Sequence, residues 1–94
     1  KLFVGIDISS QDMKACIMNF AGEALAALTV ENNLSGASYL RDQIVLIAQK
    51  NSISEIHIGM EATSVYSWHP AMFFHEDDSL KPFKTKVFTI NPKL

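Results

Sequence analysis

One cysteine in 94 residues leaves no partner for an intrachain disulfide and no thiolate set for a zinc cluster. A single thiol fits a reducing compartment, and a cytoplasmic location is expected. No apolar run approaches the roughly 20 residues that cross a bilayer, so no membrane partner is expected. No basic segment followed by an apolar core and a cleavage site opens the chain, so no signal peptide is read. Net basic charge is lacking too: 8 Lys and Arg against 10 Asp and Glu give −2. A domain that grips nucleic acid unaided is usually basic, so any such work needs help from elsewhere in the protein. No internal repeat or low-complexity stretch is present, which excludes solenoids and propellers. What is there is 48% hydrophobic and 19% charged, the composition of one small globular domain. Opening at Lys1 inside a strand-like run and closing at Leu94, the chain reads as a piece of a longer protein, one domain over 1–94.

Lys1 to Ile8 is apolar and β-branched on both parities, which predicts a central strand covered on both faces. Ser9-Ser10-Gln11 is a turn, Met13 to Phe20 a second strand, Ala21-Gly22 a tight turn and Glu23 to Glu31 a third strand. Short links make these an antiparallel meander. Asn32 to Gly36 breaks the pattern, with Ser35 the expected N-cap. Leu40, Ile44 and Ile47 recur at the spacing of one helix face, with Arg41, Gln49 and Lys50 on the wet side and a stop near Asn51. Glu55 to Met60 is a fourth strand. Val65 to His75 predicts a helix that tolerates Pro70 in its first turn. His75 to Lys84 is a loop, and Val87 to Ile90 a last strand ended by Asn91-Pro92. The order β-β-β-α-β-α-β, with two right-handed crossovers, predicts an α/β mixed sheet with helices on its faces. Ribonuclease-H-like nucleases and sugar-kinase/actin-like ATPases share that layout.

Two acids stand at matching places in this topology. Asp7 ends the first strand and Glu61 follows the fourth. These strands are expected to be parallel neighbours about 4.8 Å apart, and sites in such sheets gather at the carboxyl ends of the strands. Phe3, Gly5 and Asp7 share one parity; His57, Gly59 and Glu61 share another. If both rows face the same way, the carboxylates meet at one rim. Two carboxylates that close repel unless a cation lies between them. Mg²⁺ takes one or two carboxylates with water and phosphate, and a pair of such ions serves phosphodiester cleavage. The bland alternative is that each acid is only a turn or cap residue. Gly5 and Gly59 admit close packing of another element, and a helix beyond this chain is expected over that face. The kinase alternative needs an open phosphate-cradling backbone after Asp7, but Ser9 stands where its glycine is expected.

Other residues carry weaker signals. His57 reads as a satisfied core histidine, His69 and His75 as solvent-facing, and Cys16 as a small buried hydrophobe. Tyr66, Trp68, Phe73 and Phe74 read as core rather than as a base-stacking surface. Asp77 and Asp78 read as a solvated acidic loop. Lys81, Lys84, Lys86 and Lys93 give the last quarter a mild basic bias, short of a basic patch. Thr63 and Tyr66 lie near Glu61 in sequence without an assigned role.

Taken in order, Val4-Gly5-Ile6-Asp7-Ile8-Ser9, Gly59-Met60-Glu61-Ala62-Thr63-Ser64-Val65-Tyr66 and Ile90-Asn91-Pro92 resemble the N-terminal domain of the DEDD-type transposases of the insertion-sequence one-ten family, relatives of certain site-specific DNA invertases. Val30-Glu31-Asn32 before a glycine-containing helix start also matches. The resemblance spans essentially the whole chain and implies a RuvC-like, ribonuclease-H-like fold, cut short before its C-terminal helix. It implies a four-acid site for Mg²⁺ or Mn²⁺, with Asp7 as first and Glu61 as second metal-binding catalytic acid. Two aspartates a helical turn apart would follow the last strand, beyond Leu94. It further implies DNA as substrate, strand cleavage and exchange in transposition, a serine-bearing C-terminal domain and a structured guide RNA bound by the full-length protein. A homo-oligomer is expected, and a bare sheet face would promote self-association. Two departures stand out: Ser64 replaces the glycine usual after Glu-Ala-Thr, and Phe74 to Lys86 is long. A RuvC-like nuclease or resolvase outside that family, a nucleotide-binding half-domain and a plain interaction module remain as alternatives.

Overall fold

The computed structural model describes residues 1–62 and 70–90. The readings made on Thr63, Tyr66, Trp68, His69, Asn91-Pro92 and Lys93 lie outside the described residues. In chain order the elements are β1 (Leu2–Ile8), β2 (Asp12–Asn19), β3 (Ala24–Glu31), α1 (Leu34–Lys50), β4 (Ile56–Ala62), α2 (Pro70–Glu76) and β5 (Lys86–Ile90). The expected order holds. The stretch read as loop contains one turn of 3-10 helix, Lys81–Phe83, with Pro82 at its start.

The five strands form one sheet in the order β3-β2-β1-β4-β5. β2 is antiparallel to both its neighbours, whereas β1, β4 and β5 run parallel. β1, β3, β4 and β5 therefore all end at the same rim. The hairpin between β2 and β3 turns at Gly22, whose φ of +85° suits glycine. Asn19 closes that turn, accepting from the Glu23 amide through its side chain at 2.9 Å.

Period-two burial decides which face of the sheet is the core. Leu2, Val4, Ile6 and Ile8 are at most 3% exposed, and Ile17, Ile56 and Ile58 are fully buried with them. Leu40 and Ile44 of α1 and Phe74 of α2 join the same cluster. Each such side chain contributes about 1.5–3 kcal/mol of apolar burial. Both helices thus lie on one face. Double coverage of β1 is not found among the described residues, because Gly5 and Asp7 on the other parity are exposed. Apolar letters on both parities misled there: Phe3 is half-buried, with the His57 ring beside it in the sheet.

α1 buries Gly36, Ala37, Leu40, Ile44 and Ala48, and it stops at Asn51, whose side chain donates to the Ile47 carbonyl at 2.8 Å. Its N-cap is Asn33 and not Ser35: the Asn33 Oδ1 accepts from the Gly36 amide at 2.8 Å. An amide side chain serves this role as well as a hydroxyl, so residue type alone did not separate the two. Asn33→Ala is expected to cost about 1 kcal/mol, read as a lower urea midpoint, with Ser35→Ala nearly neutral. The reverse ranking would reject this cap.

Arg41 is a second correction. It is not on a wet face: Nη1 donates to Asp77 Oδ2 at 2.8 Å, and Nε donates to Asp42 at 3.0 Å. Its guanidinium lies 5.7 Å from the centre of the Phe73 ring. The hydrogen bond to Asp77 raises the Arg41 pKa against the opposing effect of burial. Asp77 is accordingly no solvated loop acid, since its side chain is only 8% exposed. Asp78 is solvated and pairs with Lys81 at 2.9 Å. The contact ties α1 to the loop after α2, a pairing across 36 residues that no local pattern encodes. Arg41→Ala leaves Asp77 Oδ2 buried without its donor and is expected to cost about 2 kcal/mol. Urea denaturation of the variant measures it; an unchanged midpoint would mean the pair is energetically idle.

Candidate functional site

The register of β1 and β4 settles the parity question. Phe3 pairs with His57, Gly5 with Gly59 and Asp7 with Glu61. The two acids are therefore in-register neighbours at the carboxyl ends of adjacent parallel strands. Both belong to the face opposite the helices, and both are exposed. Neither carboxylate makes a hydrogen bond or ion pair with another described residue. Their negative charges meet at one rim, which the sequence pattern made conditional on both rows facing the same way.

Behind them the sheet face forms an open trough of about 690 Å³. Its floor is a cross-strand row of small residues, Ala27, Cys16, Gly5 and Gly59. Cys16 is thus half-buried on the open face, not a core residue. A Cβ added at Gly5 or Gly59 would meet nothing within 4 Å. Crowding among the described residues therefore does not require glycine at either position.

The turn after Asp7 is fastened. Ser9 Oγ donates to Asp12 Oδ1 at 2.8 Å, and the Asn32 side chain donates to the Ser9 carbonyl at 2.7 Å. The Asn32 amide donates to the Gln11 carbonyl at 3.0 Å. Asn32 thereby clamps the β1–β2 turn from the end of β3. Sequence reasoning marked Val30-Glu31-Asn32 as a matching motif but assigned Asn32 no role, because its partner lies 23 residues away.

At the other end of the face the His57 ring stands between Phe3 and Phe88, at centroid distances of 5.6 and 5.9 Å. Its Nε2 is buried without a hydrogen bond among the described residues, 3.6 Å from Glu55 Oε2. His57 is then an aromatic spacer rather than a satisfied core histidine. Burial pushes the Glu55 carboxyl up, but the hydrogen bond and charge of Lys1, with His57 and Lys86, bring it below its ordinary value. His75 is exposed, as expected, while Phe74 is core and Phe73 packs against it at 5.2 Å.

The acid pair offers two oxygen ligands to a hard cation. No group of three or more His, Cys, Asp or Glu side chains placed to hold a metal occurs among the described residues. Asp7 and Glu61 fit Mg²⁺ or Mn²⁺ as part of a ligand shell.

The DEDD transposase model of the insertion-sequence one-ten family, described as Transposase, matches residues 4–94. The chain belongs to that family. No curated protein matches it. Among solved structures, this transposase domain is similar to Thermus thermophilus RuvC, with a TM-score of 0.59 at 10% identity over 98% of this chain and 64% of that one. A second RuvC structure from T. thermophilus, in complex with a Holliday junction substrate, matches with a TM-score of 0.58 at 8% identity over 97% and 64%. The transposase domain therefore spans somewhat less than two thirds of the RuvC chains it matches. An exopolyphosphatase from Cytophaga hutchinsonii matches with a TM-score of 0.55 at 11% identity over 97% of this chain and 34% of its own. Identities this low establish the fold, RuvC-like and ribonuclease-H-like, and the fold alone does not choose a chemistry. No helix among the described residues of the transposase domain is long and apolar enough to cross a membrane.

Proposed function

We propose that this transposase domain contributes two metal-binding acids, Asp7 and Glu61, to a site that cleaves and exchanges DNA strands in transposition. The observation that carries the reading is the in-register pairing of Asp7 with Glu61 on the open face, at the carboxyl rim of two parallel strands. Like charges directly opposite on adjacent strands destabilise a sheet, so a pair kept exposed and unpaired there suits a bound cation. Family membership over residues 4–94 supports the same reading.

A bound Mg²⁺ or Mn²⁺ would supply charge stabilisation at a phosphodiester and activate the attacking oxygen. Asp7 and Glu61 would both hold the metal through their carboxylate oxygens. The Ser9–Asp12 turn, clamped by Asn32, fixes the backbone just after Asp7, and this rigidity keeps the carboxylate in place. Two carboxylates make an incomplete shell for catalysis, so further acids from elsewhere in the protein complete the site and residues 1–94 alone are inactive. DNA is the substrate, a structured RNA acts through the full-length protein, and the protein works as a homo-oligomer in the cytoplasm.

The test uses the product of the full reading frame. Its thermal unfolding is followed with EDTA, Mg²⁺ and Mn²⁺, and cleavage of plasmid and branched DNA is assayed under the same conditions. Divalent-dependent stabilisation together with divalent-dependent cleavage is expected. Cleavage that persists at full rate in EDTA would overturn the metal role.

The nucleotide-binding reading has less behind it. The run after Asp7 is Ile8-Ser9-Ser10, and Ser9 is committed to the turn with Asp12. Its hydroxyl and backbone are occupied where a phosphate cradle would need them free.

A further inference from the structure

The acid pair belongs to a longer cross-strand row. Across the open face, Thr29 of β3 pairs with Lys14 of β2, Lys14 with Asp7 of β1, and Asp7 with Glu61 of β4. All four are exposed, and all four line the same trough. Lys14 is the one Lys or Arg among its described lining residues. It stands one strand spacing, about 4.8 Å, from Asp7.

The Lys14 side chain makes no ion pair within 4 Å and no hydrogen bond with another described residue. The acids one row further along are already engaged. Asp12 accepts from the Ser9 hydroxyl at 2.8 Å, and Glu31 Oε2 accepts from the Asn33 side chain at 2.9 Å. A flexible four-carbon stem carrying a compact charge beside a metal site suits a phosphate contact. The need for one is clear from charge. The chain carries a net −2, and the rim concentrates two of its acids. A polyanionic strand approaching that rim is repelled except where a cation receives it. A strand whose reacting phosphate lies at Asp7 and Glu61, and which runs across the sheet toward β3, places a neighbouring phosphate over β2.

We propose that Lys14 binds a backbone phosphate of the DNA strand adjacent to the one that reacts at Asp7 and Glu61, and so sets the strand's direction across the sheet from β4 toward β3. Thr29, next in the row, offers a hydroxyl to the same backbone. The proposal rests on the metal-dependent DNA reading given above.

The experiment measures DNA binding by the full-reading-frame protein in EDTA, across a salt series, for wild type, Lys14→Ala and Lys14→Arg. Releasing one phosphate contact lowers the slope of log affinity against log salt by about 0.9. Lys14→Ala is expected to lose that increment and to weaken binding alike on unrelated DNA sequences, while Lys14→Arg keeps the slope. A purely structural lysine would leave the slope untouched. An unchanged slope in Lys14→Ala overturns the proposal. So does a changed Mn²⁺ midpoint in thermal unfolding with unchanged DNA binding, which would make Lys14 a counter-charge to the acids only. If Lys14→Ala is silent while Asp7→Asn abolishes metal-dependent cleavage, the Lys14 proposal alone fails. If the wild-type protein supplied with its structured RNA binds no DNA, both fail.

Discussion

Asp7→Asn should be more stable than wild type without metal and nearly dead with it. The pairing of Asp7 with Glu61 places two like charges opposite each other on adjacent strands. Removing one charge while keeping the shape relieves about 0.5 kcal/mol of repulsion. The same change removes half of the described ligand set, so the stabilisation that Mn²⁺ gives wild type should largely vanish. Cleavage of DNA by the full-reading-frame protein should fall by about 10³-fold, equivalent to about 4 kcal/mol of barrier. Glu61→Gln should move all three readouts in the same direction. Thermal unfolding with and without Mn²⁺, beside a cleavage assay, checks them. A variant that keeps the Mn²⁺ shift and the wild-type rate would return Asp7 to the role of a turn residue. The opposite signs matter here: a residue kept only for folding would not raise metal-free stability when neutralised.

Gly36→Ala should be the most damaging conservative substitution in the fold. Alanine normally favours a helix interior over glycine by about 1 kcal/mol. Here the sign reverses, because α1 starts against the end of β3. A Cβ at Gly36 would collide with the carbonyl oxygen of Glu31 and lie 2.8 and 2.9 Å from its carbonyl carbon and amide nitrogen. These are backbone atoms, so no side-chain rotation relieves the clash. The Gly36 amide is meanwhile held by the Asn33 cap at 2.8 Å, which resists displacement of the first turn. A loss of about 3 kcal/mol is expected, or a fall in melting temperature of roughly 15 °C for a domain of this size. Gly59→Ala is the control: its Cβ meets nothing within 4 Å, and its cost to folding should stay within about 0.5 kcal/mol. Equal melting temperatures for Gly36→Ala and wild type would show that α1 does not seat on β3 as described.

The legible part of the fold was local. The apolar β-branched runs of β1 and β4, the short turns of the meander and the apolar stripe of α1 are each written over a few residues, and each element formed where its pattern lies. The acid pair was legible for a related reason. Parity within a strand is fixed by the backbone, so Asp7 shares a face with Gly5 and Glu61 with Gly59; that the two rows face the same way came from the register of β1 on β4. The Asn33 cap was missed because Asn32, Asn33 and Ser35 all have capping chemistry. Arg41 was missed because its partner, Asp77, comes from another element.

By itself, then, the sequence determined the element order, which residues share a face within a strand, and two acids near matching strand ends, since all three follow from short-range periodicity and chain connectivity. Only the tertiary structure decided that both described helices share one face, leaving the acids, Lys14 and the small-residue floor open on the other. It also decided that Asn32 clamps the turn after Asp7 and that Arg41 reaches Asp77. Those outcomes depend on which distant surfaces meet, and apolar burial, being non-directional, selects a face without recording the choice in any local pattern.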